Sequence, residues 1–93
     1  RLIIILVSII LLFQLITIDK TNPPYDKKDQ IQAPKPIMDI LKRSCWDCHS
    51  NDTIWPWYAN IAPFSWTISR HVKVGRQYVN FSIWNTYTPE QKD

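Results

Sequence analysis

The sequence predicts a mainly α-helical chain in which an apolar N-terminal helix leads into a small helical domain. Three observations point there. Residues 2–18 are almost wholly apolar. From Ile37 onward, Ile40, Leu41, Ser44, Cys45 and Cys48 fall at the i+3, i+4, i+7, i+8 and i+11 positions of one helix face. A second stripe of Ile68, His71, Val72, Gly75 and Tyr78 keeps the same period.

Length and composition narrow the function classes. At 93 residues the chain has room for one small domain. With 45% hydrophobic and 20% charged residues it is not a disordered tail. The net charge of +3 is spread along the chain and does not form a nucleic-acid-binding patch. One glycine against seven prolines excludes a glycine-rich phosphate or dinucleotide loop. No Ser-His-Asp or paired-carboxylate constellation suggests catalysis, so an enzyme is not expected.

The run 2–18 is broken only by Ser8, Gln14 and Thr17. As one helix it would reach ~25 Å, enough for a thin or locally adapted bilayer. Arg1 and Lys20 can snorkel at its ends. A cleaved signal peptide would have a shorter apolar core and a small-residue cleavage site, and the run closes on Ile-Thr-Ile-Asp-Lys without one. Residues 1–18 therefore read as a transmembrane anchor. Flanking charges say little about its orientation.

Residues 19–36 read as a proline-containing tether, extended and semi-rigid, that lifts the domain off the membrane. Residues 37–93 form the domain. Its first helix is expected over 37–49, with Pro36 in the first turn, Asp39 near the start, and Lys42 and Arg43 further on, as the helix dipole favours.

The sharpest signal closes that helix: Cys45-Trp46-Asp47-Cys48-His49. Residues at i, i+3 and i+4 share a helix face. Two thiols there can form thioethers with the two vinyl groups of a haem, and the histidine that follows can bind the iron. This is the c-type haem attachment motif. A thioredoxin-like reading lacks its βαβ context. A zinc site of Cys45, Cys48, His49 and His71 would force adjacent Cys48 and His49 onto one tetrahedral ion. A plain disulfide gives His49 no role. Covalent haem c is the expected cofactor, and since such attachment takes place outside bacterial plasma membranes, the domain is expected to face the periplasm.

Aromatic residues cluster after the motif, at Trp55, Trp57, Tyr58, Phe64 and Trp66. Core and haem-edge packing is the expected role, with Trp57 and Trp66 as candidate haem contacts. A second helix is expected near 66–79 with Ser65 as N-cap. His71 lies on its apolar stripe and is the candidate second axial ligand within these residues. Gly75, one turn later, points to close approach of another element or of the haem, or to a helix end. Thr88-Pro89-Glu90-Gln91 has the signature of a helix start with a capping box, so the natural protein is expected to continue.

The strings 45–58, Ala62-Pro63-Phe64-Ser65-Trp66, His71-Val72, Gly75-Arg76 and Asn80-Phe81-Ser82-Ile83-Trp84, with Asn22-Pro23-Pro24 upstream, resemble the haem-binding domain family. These are short, membrane-anchored, cytochrome c-like proteins of bacteria. The resemblance implies a mostly helical monohaem domain and a further C-terminal segment with a Met-Pro motif, which would supply a rival to His71 at the iron. The expected function is electron transfer by an inner-membrane, single-pass, periplasm-facing cytochrome whose partners are redox proteins, among them a respiratory complex. A haem-based sensor with an open sixth position, and a complex subunit in which haem is chiefly a structural staple, are the alternatives.

Overall fold

The computed structural model describes residues 1–93 and is 62% helical, without strands. Five α-helices follow in order: α1 Leu2–Phe13, α2 Lys35–Ser44, α3 Trp46–His49, α4 Phe64–Tyr78 and α5 Pro89–Lys92. Three short 3-10 segments, Lys27–Asp29, Trp57–Asn60 and Phe81–Thr86, bridge them. α3 packs on α4, α4 on Trp57–Asn60, and Lys27–Asp29 on Phe81–Thr86.

The apolar run is helical over fewer residues than its composition predicts. α1 has 12 residues, about 18 Å, against the ~30 Å of a bilayer's hydrocarbon core. No helix of the structure is long and apolar enough to cross a membrane. The helix stops because its next residues are claimed by the domain. The Gln14 amide donates to the Ala62 carbonyl at 3.0 Å, and the Ala62 N–H donates back to Gln14 Oε1 at 2.9 Å. The Trp66 indole N–H donates to the Ile16 carbonyl at 3.0 Å, and the Phe13 ring lies 5.0 Å from that of Trp66.

Residues 19–36 do not lift the domain away; they run across it. Arg76 donates to the Thr21 carbonyl and to Asn22 Oδ1, each at 3.1 Å. Asn22 donates to the Thr53 carbonyl at 3.0 Å, and the Ile31 N–H to the Phe81 carbonyl at 2.8 Å. Asn85 donates to the Lys28 and Gln30 carbonyls. Extended prolyl backbone leaves its polar groups free, and here side chains of the domain satisfy them. The Thr21 hydroxyl and N–H hold the Asp19 carboxyl below its ordinary pKa.

The interior is small and more polar than apolar. Only Trp46, Ala59, Ala62 and Val72 are buried hydrophobics, beside the buried polar residues Ser50, Asn51, Thr53, Ser65, Asn80 and Ser82. The polar groups are partnered with one another. Asn80 Nδ2 donates to Asn51 Oδ1 at 2.8 Å, the Asn51 N–H to Ser82 Oγ at 2.9 Å, and the Ser82 N–H to Asn80 Oδ1 at 3.0 Å. Such a network defines loop geometry well but contributes little hydrophobic stabilisation. A domain of this size with so few buried apolar groups needs further apolar material to pack against.

Two expected boundaries shift. The helix expected over 37–49 starts earlier, at Lys35, with Pro36 in its first turn, and breaks at Cys45. There φ is −122° and ψ −24°, outside helical values, before the single turn of α3. α4 starts at Phe64, and Ser65 is a buried residue of its first turn whose N–H donates to the Ile61 carbonyl at 2.9 Å, not an N-cap. Pro63, already in helical geometry, takes the cap position. At the end of the chain the expected capping box is present. The Gln91 N–H donates to Thr88 Oγ1 at 3.2 Å, and the Thr88 N–H to Gln91 Oε1 at 2.7 Å.

Candidate functional site: a turn carrying two thiols and an oriented histidine

The break at Cys45 turns α3 against α4. Trp46 anchors that turn. It is buried and stacked on Phe81, with ring centroids 5.8 Å apart, and the Lys42 ammonium covers its ring at 5.7 Å. Ser50 closes the turn by donating to the Trp46 carbonyl at 2.7 Å. Cys45 and Cys48 are left half-buried, with both thiols free.

The contact with α4 is close because residue 75 has no side chain. A Cβ there would lie 2.3 Å from the Cys48 carbonyl oxygen, a backbone atom that cannot swing aside. Of the readings open for Gly75, close approach of another element is the one realised; α4 continues to Tyr78.

This approach places His49 against the last turn of α4. Its Nδ1 lies 3.0 Å from the Gly75 carbonyl oxygen and 3.0 Å from that of Val79. Two acceptors assign the proton to Nδ1, which donates to both, and leave the Nε2 lone pair for a ligand. The two nitrogens of an imidazole point in nearly opposite directions, so Nε2 faces away from α4. A ligating histidine is oriented in this way, by a backbone carbonyl behind it, which also strengthens Nε2 as a donor.

Cys48, His49, Arg70, His71, Val74 and Gly75 line an open cleft of about 460 Å³. On α2, the helix before the thiols, Ile37 is 50% and Ile40 53% exposed. No three His, Cys, Asp or Glu side chains converge on a point that could hold a metal ion. The donor set is two thiols and one oriented imidazole, with exposed aliphatic side chains on the preceding helix. It suits a large apolar plate with a metal at its centre better than a bare ion.

A family model described as the haem-binding domain matches residues 8–93. The chain belongs to the haem-binding domain family. No curated protein and no solved structure matches it. Haem is therefore the cofactor of this haem-binding domain, and the residues around His49 fit one.

The other sequence candidates are placed differently. Trp66 does not reach the cleft. It is nine residues before Gly75, on the opposite side of α4, and is occupied by Phe13 and Ile16. Trp57 is 74% exposed, edge-on to Tyr58 at 5.5 Å, and lines a separate apolar cleft with Ile61 and Phe64. The loop after α3 stays bound to that turn, where the Thr53 hydroxyl donates to the Asp47 carbonyl and the Ile54 N–H to the Asp47 carboxylate. His71 lines the same cleft and rises from α4, the helix whose Gly75 carbonyl accepts from His49 Nδ1.

Sequence reasoning missed Arg76. Its guanidinium donates to the Ser50 carbonyl at 2.7 Å and to Thr53 Oγ1 at 3.0 Å, besides Thr21 and Asn22. It ties the segment 19–36, the loop after α3 and α4 to one point. Burial lowers its pKa, opposed by the charges of Asp19 and Asp52. The carbonyls of Gly75 and Val79 were also invisible, since backbone acceptors have no side-chain signature.

Proposed function

We propose that this haem-binding domain is a membrane-anchored monohaem c-type cytochrome that transfers electrons. The observation that carries the proposal is the pair of carbonyls behind His49, which leave Nε2 directed outward from a turn bearing two free thiols. Cys45 and Cys48 would each hold one haem vinyl group as a thioether, and His49 Nε2 would bind the iron. Bound haem supplies one-electron chemistry as its iron cycles between two oxidation states. The chain's own contribution would be to fix the ligand, to offer the group apolar surface at Ile37 and Ile40 of α2, and to leave the cleft rim open to a redox partner.

The apolar side chains of α1 stand exposed along its whole length. That surface is costly in water and favourable in lipid, and it supports anchoring through residues 2–18. Haem attachment through Cys-x-x-Cys-His would require a domain on the periplasmic side of a bacterial inner membrane, where a respiratory complex is the partner class that fits.

Acid–acetone extraction tests the core of the reading. Haem should stay with the polypeptide, and Cys45→Ala or Cys48→Ala should each remove one link. Haem that washes out overturns covalent attachment. A reduced protein that ignores carbon monoxide behaves as a carrier; one that binds it readily is a sensor.

A further inference from the structure

We propose that Trp57, Tyr58, Ile61 and Phe64 form a lipid-facing foot that rests the haem domain on the bilayer surface beside α1. These four side chains alone line an apolar cleft of about 370 Å³ on the outside of the domain. Trp57 is 74% and Phe64 62% exposed. Contiguous exposed aromatics of this kind mark an interaction surface and not a core.

The occupant follows from what adjoins the foot. Residues 60, 62 and 66, interleaved with the foot, are the ones that hold the end of the apolar helix. Gln14 is bonded to Ala62 in both directions, Phe13 lies on Trp66, and the Lys20 ammonium donates to Asn60. The foot therefore sits at the end of the domain from which α1 projects, and whatever medium takes the exposed apolar face of α1 also meets the foot. Trp and Tyr suit the interfacial layer of a bilayer, since each presents an apolar ring and a polar tip. Lys20 at the rim and the net charge of +3 favour anionic headgroups. The hydrogen bonds at Ala62 prevent α1 from swivelling freely, so anchor and foot together would set the tilt of the haem cleft against the membrane.

This inference rests on the anchoring reading above, and its test separates the two. Full-length holoprotein is reconstituted into phosphatidylcholine–phosphatidylglycerol vesicles carrying a phospholipid with a photoactivatable diazirine in its acyl chain, and adducts are mapped by peptide mass spectrometry. Adducts are expected on residues 57–64 as well as on 2–18. A Trp57→Ser/Phe64→Ser variant with an unchanged haem spectrum should lose the first set and keep the second. Adducts confined to 2–18 overturn the foot and leave the anchor standing. Adducts on 57–64 alone support the foot and remove the anchor. A protein that acquires none overturns both.

Discussion

His49 hangs from Gly75: its Nδ1–H donates to the Gly75 carbonyl at 3.0 Å, and the glycine's missing Cβ lets Cys48 approach that same residue. One position thus both admits the Cys45–His49 turn and orients its histidine. Gly75→Ala should gain about 1 kcal/mol of helix propensity and lose more, because its Cβ would lie 2.3 Å from the Cys48 carbonyl oxygen. A net destabilisation of about 1–3 kcal/mol is expected from overpacking against backbone. A lowered urea midpoint with a perturbed haem spectrum would show it; an unchanged midpoint would mean that α3 and α4 are not held this close.

Arg76→Lys should be a poor replacement. The guanidinium serves four acceptors on two segments, and a lysine ammonium cannot reproduce that fork. A loss of about 2 kcal/mol is expected, the scale of hydrogen bonds to a charged group. Limited proteolysis should then cut within 19–36 sooner than in the parent protein. If the cutting rate stays the same, Arg76 does not hold this segment.

Tyr25 predicts an alkaline limit. Its removal from water, and then its hydrogen bond to the Asp52 carboxylate, raise the phenol above its ordinary value near 10. A raised folded pKa contributes stability that is complete below that ordinary value and is lost as pH rises through the folded one. Wild-type stability should fall as pH is raised above about 10. Tyr25→Phe should be less stable at neutral pH by about 0.5–1.5 kcal/mol, one hydrogen bond, and should lack this part of the fall. Parallel pH profiles for the two proteins would remove Tyr25 as the cause.

His71→Ala addresses the second axial position. His71 shares the cleft with His49 but springs from the helix on the Nδ1 side of that ring. The variant is therefore expected to keep a low-spin spectrum and remain inert to carbon monoxide, with the second ligand coming from outside α4. Conversion to a high-spin, carbon monoxide-binding form would assign His71 to the iron.

The sequence by itself determined the parts whose information is local. The Cys45–His49 spacing is what the sequence offers for the proposed attachment, because two thiols and an imidazole would have to meet one macrocycle. The helical stripes located α2 and α4, and Thr88 with Gln91 located the start of α5, because side-chain period and capping act within a turn or two. Tertiary structure alone decided the rest. It ended α1 at Phe13, because Gln14 and Ile16 bond to Ala62 and Trp66, more than forty residues away in the chain. It laid residues 19–36 across the domain through Arg76 and Asn85, packed Trp66 against Phe13 and Ile16, and left Trp57 in a separate apolar cleft with Tyr58, Ile61 and Phe64. It also chose the partners of His49. These are backbone carbonyls, identical at every residue, and only the packing of α3 on α4 selects Gly75 and Val79.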